Sequence, residues 1–216
     1  MKWRALASRI KCAITFAPPA VPHNVGLDFY RKKSSWGLKP DVCPCDVEFA
    51  EFLHTSGISG KVVLHFGTGS HHVVATENYK SKNPNQLVGL TASLPEHQAY
   101  VDMTTRDRAF AKHYTVLYKD IYTLAADMLP QFDVISLFHL CEFYFPEEAA
   151  NVNHDDASLL AMFVSKLNPG GKVLFYTGSF GWQKGQHIVQ DFVDRGILEK
   201  SSNYKHLLVY QKTAQH

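Results

Sequence analysis

Lys61-Val62-Val63-Leu64-His65-Phe66-Gly67-Thr68-Gly69-Ser70 is the stretch whose reading decides the fold. A short run of apolar, mostly β-branched residues that ends in Gly-x-Gly reads as a buried strand, a tight turn and then a helix. The glycines remove side chains where the backbone must turn sharply or approach a ligand. The helix is expected over residues 70–81, and the N–H groups at its start favour negative charge.

The pattern continues downstream. Residues 87–90, 115–118, 132–138 and 172–177 are strand-length apolar runs, and the run over 132–138 is continuous, as in a strand covered on both faces. Pro95 suits the first turn of a helix reaching about residue 101, and a second helical stretch is expected over 105–113. Asp156 or Ser158 is placed to cap a helix ending at 167, before Asn168-Pro169-Gly170-Gly171. Residues 186–195 carry Ile188, Phe192 and Val193 at helical spacing and stop at Gly196. Residues 197–201 and 206–211 read as a closing hairpin turning at Ser202-Asn203. Upstream, Asp46 is expected to cap a helix over 47–55. Strands alternating with helices give an α/β, doubly wound, mostly parallel seven-stranded sheet, with an antiparallel C-terminal hairpin and helices on both faces. Pro18, Pro19 and Pro22 set residues 1 to about 27 apart and Pro40 and Pro44 mark another turn, so residues 1–46 are expected as an N-terminal extension or lid before a domain over 47–216. Phe29, Tyr30 and Trp36 either cover the ligand site or pack ordinarily.

Bulk properties exclude several classes. The chain has 216 residues, 45% hydrophobic and 19% charged, enough to bury a core. No apolar run reaches the ~18 residues of a membrane span. The net charge is +2, and only Arg31-Lys32-Lys33 is locally basic, so there is no strong nucleic-acid signal. Lys2, Arg4, Arg9 and Lys11, with no acid before Asp28, fit a transit peptide or a basic surface segment. A cytoplasmic protein is the expectation, with both readings of that segment open. Of four cysteines, Cys12, Cys43, Cys45 and Cys141, only the Cys43-Pro44-Cys45 pair is close. One intervening residue departs from zinc-site spacing, so free thiols and no metal are expected.

In order and spacing, five segments resemble class I S-adenosylmethionine-dependent methyltransferases: residues 62–70, 88–93, 118–121, 132–136 and 167–174, within a resemblance covering roughly 47–212. Ligands in such sheets bind at the carboxyl ends of the strands, where strand order reverses. The resemblance implies S-adenosylmethionine as cofactor. It places His65, Gly67, Thr68 and Gly69 in the first motif, the glycines lying against the methionine moiety and ribose. Thr91 and Ala92 form the ribose-binding tip. Asp120 accepts a hydrogen bond from the adenine amine, and Ile121 packs on the ring. Phe138 and His139 border the methyl-donor pocket, with His139 the preferred catalytic base.

The chain departs from the family at three positions. Acids are usual where His65 and Thr91 stand, and a third glycine where His71 stands. A threonine hydroxyl cannot accept two hydrogen bonds from a diol as a carboxylate does. Losing charge-assisted bonds of ~1.5–3 kcal/mol each weakens binding by one to two decades or more. His65, His71, His72 and His139, with Cys141 and Glu142 nearby, either bind a metal, move protons, or simply hydrogen-bond their surroundings. Residues 141–156 follow the fourth strand, where substrate-selecting loops sit, and lack the Asn/Asp-Pro-Pro-Tyr/Phe sequence used on nucleic-acid amines. Two functions follow: a methyltransferase acting on a small molecule or protein group, or a non-catalytic binding or assembly protein that has lost part of the cofactor site. A nicotinamide-dependent enzyme is disfavoured, because His72 replaces the last glycine of Gly-x-Gly-x-x-Gly.

Overall fold

The computed structural model describes residues 31–214. The basic segment over 1–27, Cys12, Phe29 and Tyr30 lie outside them. Seven strands form one sheet: β1 (Val62–Phe66), β2 (Gln86–Thr91), β3 (Tyr114–Tyr118), β4 (Phe132–Ser136), β5 (Leu167–Tyr176), β6 (Leu198–Tyr204) and β7 (Leu207–Lys212). Their order is β3-β2-β1-β4-β5-β7-β6. All pairings are parallel except those of β7 with β5 and β6. Five longer helices surround it: α1 (Cys45–Thr55), α2 (Val73–Tyr79), α3 (Leu94–Arg106), α4 (Asp156–Ser165) and α5 (Trp182–Asp194). The expected doubly wound architecture is therefore present. Among the described residues no helix is long and apolar enough to cross a membrane.

Both faces of the sheet are buried, which is why its central strands read as unbroken apolar runs. Leu64 and Ile135 enter one cluster with Leu160 and Phe163 of α4, while their neighbours Val63 and Val134 enter the other with Phe49 and Phe52 of α1. Chain order reverses between β1 and β4, which pair in parallel at Leu64↔Ile135. The switch-point crevice thus lies beyond Phe66 and Ser136.

Several element boundaries differ from expectation. α2 starts at Val73 because His72 is left-handed (φ 45°) and tied down by Tyr114 Oη at 2.8 Å and the Glu96 carbonyl at 3.1 Å. Residues 94–106 form one helix, with Ser93 Oγ accepting from the Glu96 N–H at 3.3 Å and Pro95 in the first turn. Asp155, not Asp156 or Ser158, caps α4, in a reciprocal box with Ser158. Asp156 instead accepts from Tyr122 Oη at 2.7 Å and Lys184 Nζ at 2.5 Å. β6 continues through Ser202 and Asn203, since Tyr204 packs edge-on against Phe52, and the turn falls at Lys205. Asp46 is no cap: it lies within α1, buried, and faces the crevice.

Candidate functional site

A cavity of about 200 Å³ lies over the carboxyl ends of the strands. β1 delivers Phe66 and Gly67, the β2 tip Ala92, the β3 tip Asp120 and Ile121, the turn after β4 His139 and Glu142, and β5 Tyr176. Gly67 (φ +86°) and Gly69 (φ +56°) have backbone that other residues rarely adopt. A β-carbon at Gly67 would stand 2.8 Å from His139 Cδ2, and one at Gly69 would stand 2.9 Å from the Trp36 carbonyl oxygen.

Residues 31–44 cross above this floor as a strap. Trp36 N–H donates to Glu96 Oε1 at 3.0 Å, and its carbonyl accepts from the Ser70 N–H at 2.9 Å. Ser93 Oγ donates to the Ser34 carbonyl at 2.5 Å. Arg31 pairs with Asp120 and lies 3.6 Å from Glu148. Trp36 and Cys43 line the cavity from above, so the strap forms part of the site.

The positions expected to touch ligand divide into two layers. Gly67, Gly69, Ala92, Asp120, Ile121 and His139 line the cavity. His65, Thr68 and Thr91 are buried one layer behind it. Phe138 does not border the cavity. β4 ends at Ser136, and the turn that follows sends the Phe138 ring edge-on against Phe49 at 5.4 Å, while His139 points to Gly67. The four histidines do not form one cluster: His72 turns away to Tyr114. Among the described residues no group of three or more potential ligands could hold a metal.

Carboxylates, each supplied by a helix, stand beside His65 and Thr91, the two positions where the resemblance would place acids. Thr91 Oγ1 donates to Glu96 Oε2 at 2.6 Å, and Glu96, wholly buried, lines the cavity. His65 Nδ1 meets Ser136 Oγ at 2.8 Å, leaving Nε2 buried without a hydrogen-bond partner, 3.5 Å from Asp46 Oδ1. His71 Nε2 lies 3.4 Å from Asp46 Oδ2. Burial pushes Asp46 up to about 7 and His65 down to about 3, so His65 is neutral and offers no fixed cation. Glu96 has a local signal in the sequence, but a misleading one. Ser93-Leu94-Pro95-Glu96 matches a helix-capping box, whereas the carboxylate bonds Trp36 and Thr91.

His139 forms a second charged unit. Its Nδ1 lies 3.1 Å from Glu142 Oε2, and Ser179 Oγ donates to Glu142 Oε1 at 2.6 Å. Burial pulls His139 downward, but the hydrogen bond and charge of Glu142 outweigh it and leave the imidazole above its ordinary value. Burial pushes Glu142 upward, and His139 and Ser179 more than reverse this. With Nδ1 engaged, Nε2 is left facing Gly67.

The fold has counterparts among solved structures. The N-methyltransferase NodS from Bradyrhizobium japonicum WM9, in complex with S-adenosylhomocysteine, superposes with a TM-score of 0.54 at 12% identity, covering 78% of this chain and 86% of that one. Magnesium protoporphyrin IX methyltransferase from Synechocystis PCC 6803 with bound S-adenosylmethionine gives 0.57 at 12% identity, over 88% and 92%. The cyclase SpnF gives 0.53 at 16% identity, over 78% and 63%. No protein-family model and no curated protein sequence matches the chain. The chain thus has the fold of class I S-adenosylmethionine-dependent methyltransferases. Identities this low establish the fold alone.

Proposed function

We propose that this protein binds S-adenosylmethionine and transfers its methyl group to a small molecule or a protein group. One observation carries the reading: buried carboxylates, Asp46 and Glu96, stand next to His65 and Thr91, where two family acids are absent, and both line the crevice. The residues present suit the group. Glu96 is a carboxylate at the β2 tip whose oxygens accept from the Trp36 N–H and the Thr91 hydroxyl, and a ribose diol would take the place of the Trp36 N–H there. Ile121 and Ala92 offer an apolar surface for a flat base, with the Asp120 carboxylate at its edge. Glu142, and Asp46 once ionised, place negative charge on the cavity wall where a sulfonium would be stabilised.

When bound, the cofactor supplies an electrophilic methyl group. The chain's own contribution is positioning and proton transfer. Gly67 and Gly69 let the His139 ring and the Trp36 backbone come close to the crevice floor, Glu96 and Asp120 orient the nucleoside end, and the strap excludes water. His139 Nε2 takes the proton of an acidic acceptor such as a hydroxyl, while Glu142 fixes the ring and stabilises its charge. The cavity, at about 200 Å³, is smaller than the ~300–1,000 Å³ of typical ligand sites. Ligand entry therefore requires the strap to shift, freeing Asp120 from Arg31 and Glu96 from the Trp36 N–H.

Calorimetry with S-adenosylmethionine, S-adenosylhomocysteine and NAD tests the reading. Both adenosyl compounds are expected to bind and NAD is not. Asp120→Ala should weaken adenosyl binding roughly ten-fold or more, the cost of a lost buried hydrogen bond to a charged group. No binding of either adenosyl compound at millimolar concentration would remove the proposal. It would favour the second reading, a non-catalytic binding or assembly protein, in which Arg31 and Trp36 occupy Asp120 and Glu96 permanently. The same fold in a cyclase is a reminder that it does not dictate chemistry.

A further inference from the structure

Two sulfur atoms meet at the wall of the cavity. Cys43 and Cys45 flank Pro44 at the start of α1, with Sγ atoms 3.3 Å apart, and both line the cavity. That is contact without a bond, since a disulfide needs ~2.05 Å. Cys45 is buried, whereas Cys43 is partly accessible. The methyl-transfer reading uses neither thiol.

We infer that Cys43 and Cys45 form a dithiol site that exchanges with low-molecular-weight disulfides, Cys43 being the attacking thiol and Cys45 the resolving one. First, the Cys43 thiolate attacks one sulfur of the incoming disulfide. The disulfide's S–S bond breaks, a mixed disulfide forms on Cys43, and one thiol leaves with a proton from solvent. Then Cys45 loses its proton to solvent and attacks the Cys43 sulfur. The Cys43–Cys45 bond forms and the second thiol leaves protonated. Two protein thiols are oxidised and one small disulfide is reduced to two thiols.

The surroundings fit this division of labour. A hydrogen bond from Cys45, aided by the charge of His139 and opposed by burial and Glu142, brings the Cys43 thiol down to about 6. That shift favours the thiolate form of Cys43. The Cys45 thiol is pushed up, first by that same bond to Cys43, then by burial and Asp46. Once Cys43 carries the mixed disulfide, the largest of these causes is gone and burial and Asp46 remain, while Cys45 Sγ still lies in contact with the Cys43 sulfur it must attack. Cys141 is an internal comparator: burial pushes its thiol up to about 12, next to Asp156, and no partner sulfur lies near it among the described residues.

The test uses the full chain, treated with glutathione disulfide near neutral pH, then alkylated, digested and mapped by mass spectrometry. Two of the four cysteines should lose their alkylation, and a Cys43–Cys45 bridge should appear before any change at Cys141. Cys45→Ser should stop at one glutathione adduct on Cys43, and Cys43→Ser should take none at either position. Unreacted Cys43 and Cys45, modification of Cys141 first, or a bridge to Cys12 overturns the inference. The wild-type comparison with Cys141 needs no variant to fold. Thiol mapping is also independent of adenosyl binding, so a protein that binds neither adenosyl compound still decides the matter.

Discussion

Replacing His139 by alanine is expected to lower kcat by roughly 10²–10⁴-fold, the usual worth of a positioned general base, with adenosyl affinity changed little. The measurement is S-adenosylhomocysteine release over a panel of hydroxyl, thiol and amine acceptors. The expectation rests on geometry: Glu142 holds Nδ1 at 3.1 Å, Ser179 holds Glu142, and Nε2 faces the glycine turn. Only the neutral imidazole accepts a proton, and Glu142 raises its pKa above the ordinary value. Activity should therefore fall as pH drops through a midpoint above 6.5, histidine's reference value. Glu142→Gln removes the charge that raises it and leaves burial, which lowers it, so the acid limb of the profile should move to lower pH. A purely structural role for Glu142 would lower activity without moving that limb. Full turnover in His139→Ala retires the base assignment.

The sheet was legible because burial on both faces writes itself as unbroken apolar runs, and because Gly67 and Gly69 mark the crevice. The site was legible only where one element supplies both the signal and the contact, as at Asp120 and Ile121. It was not legible where contacts join distant segments. Asp46 reads locally as a helix cap and Glu96 as a capping-box acid, and only the packing of α1 and α3 against the strand tips turns them inward. The strap was foreseen as a lid or as ordinary packing, and the contacts of Trp36 with Ser70 and Glu96 span 34 and 60 residues. The misplacement of Phe138 has a similar cause. The apolar run continues past Ser136, but the strand does not, and a turn exchanges the faces on which Phe138 and His139 lie.

Separate replacement of the two helix-borne carboxylates is expected to divide their roles. Glu96→Gln keeps shape but removes charge beside the ribose position. It should weaken S-adenosylmethionine and S-adenosylhomocysteine alike, by about ten-fold or more, for loss of a charge-assisted bond of ~1.5–3 kcal/mol. Asp46→Asn should act on the cation alone, because only the methylated ligand carries a sulfonium, so preference for it over S-adenosylhomocysteine should collapse. The stability effect has the opposite sign. Burial raises Asp46 from 3.8 to about 7, so the stability linked to its proton is complete below pH 3.8 and lost as pH rises through about 7. Above neutrality the ionised group, faced by His65, His71 and His139 and by Cys43, Cys45 and Glu96, costs on the order of 4 kcal/mol. Asp46→Asn should therefore resist urea better than the parent at pH above 7, with the advantage vanishing in acid. A bound cation would stabilise the ionised form, so S-adenosylmethionine binding near neutrality should release a proton. Calorimetry in buffers of different ionisation enthalpy reads that proton directly. A variant that binds both ligands like the parent and gains no stability would show Asp46 to be a bystander, leaving Glu142 as the carboxylate that faces the sulfonium.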